Sequence, residues 1–120
     1  MRALVVDDSS TMRAILGLTL KRKGFEILQA RDGFEALSVL AKNGTIDLIL
    51  IDWNMPGING LELLRRIRKQ PQYGATQILM VTTETGMAQM VDALSAGAND
   101  YIMKPFTPEV VVDKLQLLGL

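Results

Sequence analysis

The chain contains no cysteine and no histidine. The first absence excludes a disulfide framework, thiolate zinc sites, redox CxxC chemistry and a cysteine nucleophile. The second removes Ser-His-Asp and Cys-His catalysis, HExxH metal sites and any phosphohistidine on this chain. Neither sign of charge prevails: 13 lysines and arginines meet 13 aspartates and glutamates, for a net charge of +0. No cationic excess is available to drive counterion release from nucleic acid or attachment to anionic lipid, so neither is an expected partner. Long apolar runs are missing too. The opening MRALVVDDSS reaches two aspartates after a short apolar stretch, whereas a signal peptide needs about 7 to 15 apolar residues. The most apolar later stretch, Ile46 to Ile51, is interrupted by Asp47 and falls far short of the roughly 20 residues that span a bilayer. There is no Ser/Pro-rich linker, low-complexity tract or repeat. The reading is a cytoplasmic protein whose partners are recognised locally.

What is present is 120 residues, 48% hydrophobic and 22% charged, the size and composition of one compact domain. Such a chain buries roughly two-thirds of the surface its unfolded form exposes, enough to fold without disulfides or a structural metal. Residues 1–120 are read as a single domain. Short β-branched or leucine-rich runs alternate with segments of helical period. Ala3 to Val6, Glu26 to Leu28, Asp47 to Ile51, Ile78 to Val81 and Tyr101 to Met103 are too short for stable helices and read as strands. Between them lie apolar stripes: Met12, Ile15, Leu16 and Leu20; Leu37, Leu40 and Ala41; Leu61, Leu64 and Ile67; Val91 and Leu94; and Val111, Leu115 and Leu118. Gly24, Gly44 and Gly97 stand where helices end in a left-handed residue, and Ser9-Ser10 and Thr107-Pro108 supply starts. Alternating strand and helix implies right-handed crossovers and a parallel, doubly wound α/β sheet, with five strands, five helices and both faces covered. The middle strands agree, since Leu48 to Ile51 and Ile78 to Val81 are apolar at successive positions.

In open α/β sheets ligands bind beyond the carboxyl ends of the strands. There stand Asp7-Asp8 after the first strand, Asp52 after the third, Thr82-Thr83 after the fourth and Lys104-Pro105 after the fifth. If these strands are neighbours, three carboxylates, two hydroxyls and one ammonium converge. Lys104 alone cannot neutralise the acids, so a divalent cation is the natural occupant, and oxygen-only ligands point to Mg2+. A bound metal screens an incoming phosphate from the acids, which permits a carboxylate to attack phosphorus, with Lys104 and Thr82 placed to contact phosphoryl oxygens. No GxGxxG or GxxxxGK[ST] follows the first strand, which weighs against dinucleotide and P-loop readings. A haloacid-dehalogenase-like phosphatase would show a spaced DxD and a cap insertion, and neither is encoded.

Val5-Val6-Asp7-Asp8-Ser9, Asp52-Trp53-Asn54-Met55-Pro56-Gly57, Met80-Val81-Thr82 and Tyr101-Ile102-Met103-Lys104-Pro105-Phe106 resemble, in order and across the chain, the receiver domain of two-component response regulators. The look is nearest to its stand-alone chemotaxis members. The resemblance implies a flavodoxin-like sheet of order 2-1-3-4-5 and a phosphoryl group received on Asp52 from a histidine kinase. It implies Mg2+ on Asp7, Asp8, Asp52 and the backbone carbonyl of Asn54, a phosphoryl contact from Lys104, and a cis bond at Lys104-Pro105. Thr82 and Tyr101 are implied as the switch. A downstream protein target would meet a face bearing Met87, Met90, Leu94, Tyr101, Val110 and Lys114. On this reading the chain is a binding module that transfers and loses its own phosphoryl group, and not an enzyme. Two rivals stand beside it, a Mg2+-dependent aspartate phosphohydrolase and the receiver part of a longer transcriptional regulator.

Taken singly, the residues have plainer readings. Any one aspartate reads as a solvated loop acid, Asp8 as helix-start chemistry, Tyr101 as a half-buried strand aromatic, and Met87, Met90 and Leu94 as core. The run Arg65, Arg66, Arg68 and Lys69 reads as a solvated face. Three positions depart from the resemblance. Asn59-Gly60 replaces Asp-Gly and reads as a changed turn, because Asn tolerates positive φ. Thr83 stands where a smaller residue is usual, which bears on access to Asp52. Val110 and Val112 are apolar where the last helix usually meets solvent.

Overall fold

A computed structural model describes residues 1–83 and 87–120, with Met87 by its backbone alone. The strands are β1 (Arg2–Val6), β2 (Glu26–Ala30), β3 (Leu48–Asp52), β4 (Gln77–Thr82) and β5 (Asp100–Met103). The helices are α1 (Ser10–Arg22), α2 (Gly33–Asn43), α3 (Gly60–Arg68), α4 (Met87–Ser95) and α5 (Pro108–Leu117), with a 3-10 turn at Pro71–Tyr73. All strand pairs are parallel and the order is β2-β1-β3-β4-β5, as the resemblance implies. The chain leaves β1 toward one edge and returns at β3 on the other side, so the topological switch lies between β1 and β3.

Each face of the sheet carries its own core. Leu4, Val6, Ile49, Ile51, Ile78 and Met80 pack under α2, α3 and α4, while Ala3, Val5, Leu48, Leu50, Leu79 and Val81 pack under α1 and α5. Every residue of β3 is buried, the pattern of a strand covered on both faces.

Helix ends follow their capping chemistry. Ser9 accepts from the Met12 amide, and Thr107 caps α5 ahead of Pro108. Gly24, Gly44 and Gly97 all have positive φ. Asp32 and Asn59 also act as N-caps, each accepting the amide three residues on. Asn59 has φ −77°, so its side chain serves the helix start and the turn reading based on positive φ is corrected. Among the described residues, all with positive φ are glycines.

Four stripe members face outward. Ile15, Val91 and Leu94 are 45%, 51% and 46% exposed, and Ala41 is exposed as well. On α1 the inward row is Met12, Leu16 and Leu20, at strict four-residue steps. On α2 it is Ala36 and Leu40. On α4, Met90 and Ala93 run parallel to Val91 and Leu94 at the same spacing, and it is Ala93 that goes in, at 1% exposed. Helical spacing identifies a stripe, while the room above the sheet decides which of two equivalent stripes is buried.

Arg68 overturns the solvated reading of its cationic run. Its guanidinium donates to the carbonyls of Gly97, Tyr73 and Thr76 at 2.7 to 2.9 Å and to Asn99 Oδ1 at 3.0 Å. Burial lowers its pKa from the ordinary arginine value. It ties the C-terminus of α3 to the loops entering β4 and β5, at the end of the sheet opposite the acids. No helix among the described residues is long and apolar enough to cross a membrane.

Candidate functional site

The carboxyl ends of β1, β3 and β5 bring together the acids and the ammonium singled out above, and Thr82 and Thr83 stand at the carboxyl end of β4. Asp7 follows β1 and is 1% exposed; its amide donates to the Ala30 carbonyl at 3.1 Å, and its Oδ1 accepts from the Ser9 amide at 2.9 Å. Asp8 projects to solvent. Asp52 ends β3 at 5% exposure beside Val81 of β4. Carboxylate oxygens of Asp7, Asp8 and Asp52 all lie within 4.8 Å of one another.

Lys104 reaches into this group from just beyond β5. Its amide donates to the Thr82 carbonyl at 2.8 Å, and the bond to Pro105 is cis. Nζ lies 3.2 Å from Asp52 Oδ1 and 3.4 Å from Asp7 Oδ2. One ammonium therefore faces three carboxylates, which leaves the cluster two charges short of neutrality. The imbalance shows in Asp52, whose pKa is raised from 3.8 by burial first and by the Asp7 charge second; Lys104 opposes both. Oxygen donors with an excess of negative charge and no imidazole or thiolate are a donor set that could hold a hard divalent cation.

Asn54 is exposed two residues beyond Asp52, in a loop closed by the Gly60 amide donating to the Trp53 carbonyl at 2.9 Å. Gly60 is required there: a Cβ would stand 2.4 Å from the Asp52 carbonyl oxygen. Thr82 is buried at the end of β4, and Thr83 next to it is exposed.

Arg13 belongs to this site although the pattern of apolar and acidic residues does not single it out. Its Nη1 donates to the Asp7 carbonyl at 2.7 Å and its Nε to Gln29 at 3.1 Å, which braces the main chain that carries both acids. The available signal is electrostatic. A cation one turn into a helix opposes the dipole, so it needs a tertiary partner.

A family model described as the response regulator receiver domain matches residues 3–116. The chain belongs to the receiver-domain family. Receiver domains of two-component systems are phosphorylation switches, and this chain is one. It is 50% identical to a chemotaxis protein CheY homolog of Campylobacter jejuni over 117 residues, covering 97% of this chain and 90% of that one. It is 47% identical to chemotaxis protein CheY1 of Helicobacter pylori over 119 residues, covering 98% and 96%. Among solved structures, the chemotaxis response regulator CheY4 of Vibrio cholerae superposes with a TM-score of 0.91 at 39% identity, covering 98% of this receiver and 97% of that chain.

The face expected to meet a target is partly assembled in this receiver. Tyr101, Val110 and Lys114 line a shallow depression of about 300 Å³ together with Met103, Pro105 and Phe106. The Lys114 ammonium sits 4.8 Å from the Tyr101 ring centroid and 3.1 Å from Asp100 Oδ1. Met90 is half-buried and Leu94 is exposed on α4; neither lines the depression. The Met87 side chain lies outside the described residues.

Proposed function

We propose that this receiver is a cytoplasmic phosphoacceptor, residues 1–120 forming its single domain, and that Asp52 takes a phosphoryl group from the phosphohistidine of a separate histidine kinase. A carboxylate oxygen of Asp52 bonds to phosphorus, the P–N bond breaks, and the electron pair leaves with the imidazole. The observation that carries this reading is Asp52 itself, buried at the end of a central strand with Lys104 Nζ at 3.2 Å and two further acids beside it. Mg2+ fits the donor set, held by Asp7, Asp8, Asp52 and the Asn54 carbonyl. When bound it supplies the positive charge that offsets repulsion between these acids and incoming phosphoryl oxygens.

The remaining roles follow from position. Lys104 holds Asp52 in its ionised, nucleophilic form and is the ammonium within reach of the phosphoryl oxygens. Arg13 and the Ser9 amide fix Asp7. Thr82 contributes a buried hydroxyl beside the acceptor, and its movement toward the phosphoryl group changes the room available to Tyr101 on β5. The altered surface is the face of α4, β5 and α5 (Met87, Met90, Leu94, Tyr101, Val110, Lys114), which binds a protein target. The names of the relatives support chemotaxis as the setting.

Incubation with a radiolabelled small phosphodonor such as acetyl phosphate tests the reading. Label should enter the wild type only with Mg2+, should be released by hydroxylamine as an acyl phosphate is, and should be absent from Asp52→Asn. Turnover of generic phosphomonoesters should be undetectable. Label in Asp52→Asn equal to wild type, or sustained phosphomonoester hydrolysis, rejects the assignment.

A further inference from the structure

Two turns on neighbouring elements fit into each other beside the acids. At Gly33, the start of α2, an added Cβ would lie 2.4 Å from Ile58 Cγ1 and 2.5 Å from its Cδ1. At Gly57, φ +78°, an added Cβ would lie 3.2 Å from Phe34 Cε2. The relation is reciprocal: each glycine admits the side chain that follows the other glycine. No hydrogen bond among the described residues joins residues 31–35 to residues 53–60, so the link between the turns is packing alone.

Each turn is held by hydrogen bonds of its own. In the first turn Asp32 accepts the Glu35 amide at 2.8 Å and Glu35 accepts the Arg31 amide at 3.1 Å, a reciprocal cap. The Phe34 ring, though 57% exposed, is faced by the Arg66 guanidinium 5.9 Å from its centroid. The second turn belongs to the loop from Trp53 to Asn59. That loop is tied at its ends by the Trp53 amide on the Val81 carbonyl and the Gly60 amide on the Trp53 carbonyl, both at 2.9 Å. Asn54 lies between these ties and is exposed.

We infer that this interlock sets the course of the loop and so presents the Asn54 carbonyl to the metal, which makes Gly33, Phe34 and Ile58 positioning residues for the cation. The inference rests on the proposed Mg2+ site of Asp7, Asp8, Asp52 and Asn54. None of the three residues offers a ligand; each acts through the loop, as outer partners of a metal site do.

Calorimetric titration of Mg2+ into the full chain tests it, with urea stability of the metal-free protein measured in parallel. Gly33→Ala, Ile58→Ala and Phe34→Ala should each raise the Kd for Mg2+ about tenfold. The double variant Gly33→Ala/Ile58→Ala should recover most of that loss, because the added methyl fills space that the isoleucine branch vacates. Two merely destabilising changes would accumulate instead. Phe34→Ala changes a half-exposed ring and keeps the test available should Gly33→Ala fail to fold. Wild-type Mg2+ affinity in the folded single variants, or a double variant weaker than both singles, overturns the interlock while leaving the site reading intact. A wild type that does not respond to Mg2+ overturns both.

Discussion

Asp52 and Arg68 solve opposite problems with the same material. Asp52 is an anion in an excess of anions. Its pKa is raised from 3.8, so between that value and its folded one the native chain holds a proton that the unfolded chain has released. Stability contributed by this group therefore falls as pH rises through that interval. Asp52→Asn should stabilise the metal-free protein near neutral pH by about 1 to 3 kcal/mol, the scale for relieving a poorly compensated buried polar group. Urea melts in EDTA should show the gap closing as pH falls through that interval and gone below 3.8, and Mg2+ should narrow it near neutral pH by stabilising the wild type. A variant no more stable than wild type in EDTA would remove charge repulsion from the account. Among the described residues Arg68 is a cation with no carboxylate partner, satisfied by three carbonyls and one amide oxygen. Arg68→Ala should cost about 2 to 3 kcal/mol by taking the guanidinium donor from the Gly97 and Thr76 carbonyls, while the Tyr73 carbonyl and Asn99 Oδ1 keep the Thr76 and Ile78 amides. Arg68→Lys should recover little, since an ammonium cannot reproduce a planar fork. Equal stabilities of Arg68→Lys and wild type in denaturant titration would refute the clamp.

Among the elements, α4 departs most from what its pattern implies. Its larger apolar residues, Val91 and Leu94, face solvent, and the described side chain it buries is Ala93. Close seating on the sheet requires that small residue. Ala93→Leu should overpack the contact and cost about 1 to 3 kcal/mol. Leu94→Ser should change stability by no more than about 0.5 kcal/mol, yet weaken binding of a target that docks on this face. Thermal melts of both variants with a parallel binding titration separate the outcomes, and a large stability loss in Leu94→Ser would place that residue back in the core. The proposed strip thus has its physical basis in a helix that packs through alanine and keeps branched apolar residues outside. The Asp32 and Asn59 caps show the same dependence on context. Each is an ordinary helix-start residue, but only the fold shows the two capped turns interlocking through Gly33 and Ile58.

For the whole molecule the question is how an event on Asp52 reaches α4, β5 and α5. The sheet supplies the shortest path. Asp52 pairs with Val81, Thr82 follows it and pairs with Met103, and Tyr101 lies on the same strand. Thr82→Ala should leave phosphorylation of Asp52 in place while removing most of its effect on target affinity. Coupling of about 1 to 3 kcal/mol corresponds to roughly 5- to 150-fold in affinity, and the target must then favour the phosphorylated state by the same factor. Labelling stoichiometry and target affinity measured on the same samples check this. Phosphorylated Thr82→Ala that binds as tightly as phosphorylated wild type would redirect the route elsewhere.

The fold class was legible from the chain alone because alternating short apolar runs and helical stripes admit few arrangements, and the acids could be found because strand ends are where such sheets bind ligands. The absence of histidine and cysteine already restricted any metal to hard, oxygen-bound ions. The strand order was legible only through resemblance, since spacing does not say which strands are neighbours. Tertiary structure decided the rest. It brought Lys104 to 3.2 Å from Asp52 across 52 residues of sequence and turned Arg13 back onto Asp7. It set a half-buried Arg68 against carbonyls that no side-chain pattern reveals, and it chose Ala93 over Val91 and Leu94 for the sheet. These outcomes depend on distances between elements, and a local pattern carries no information about them.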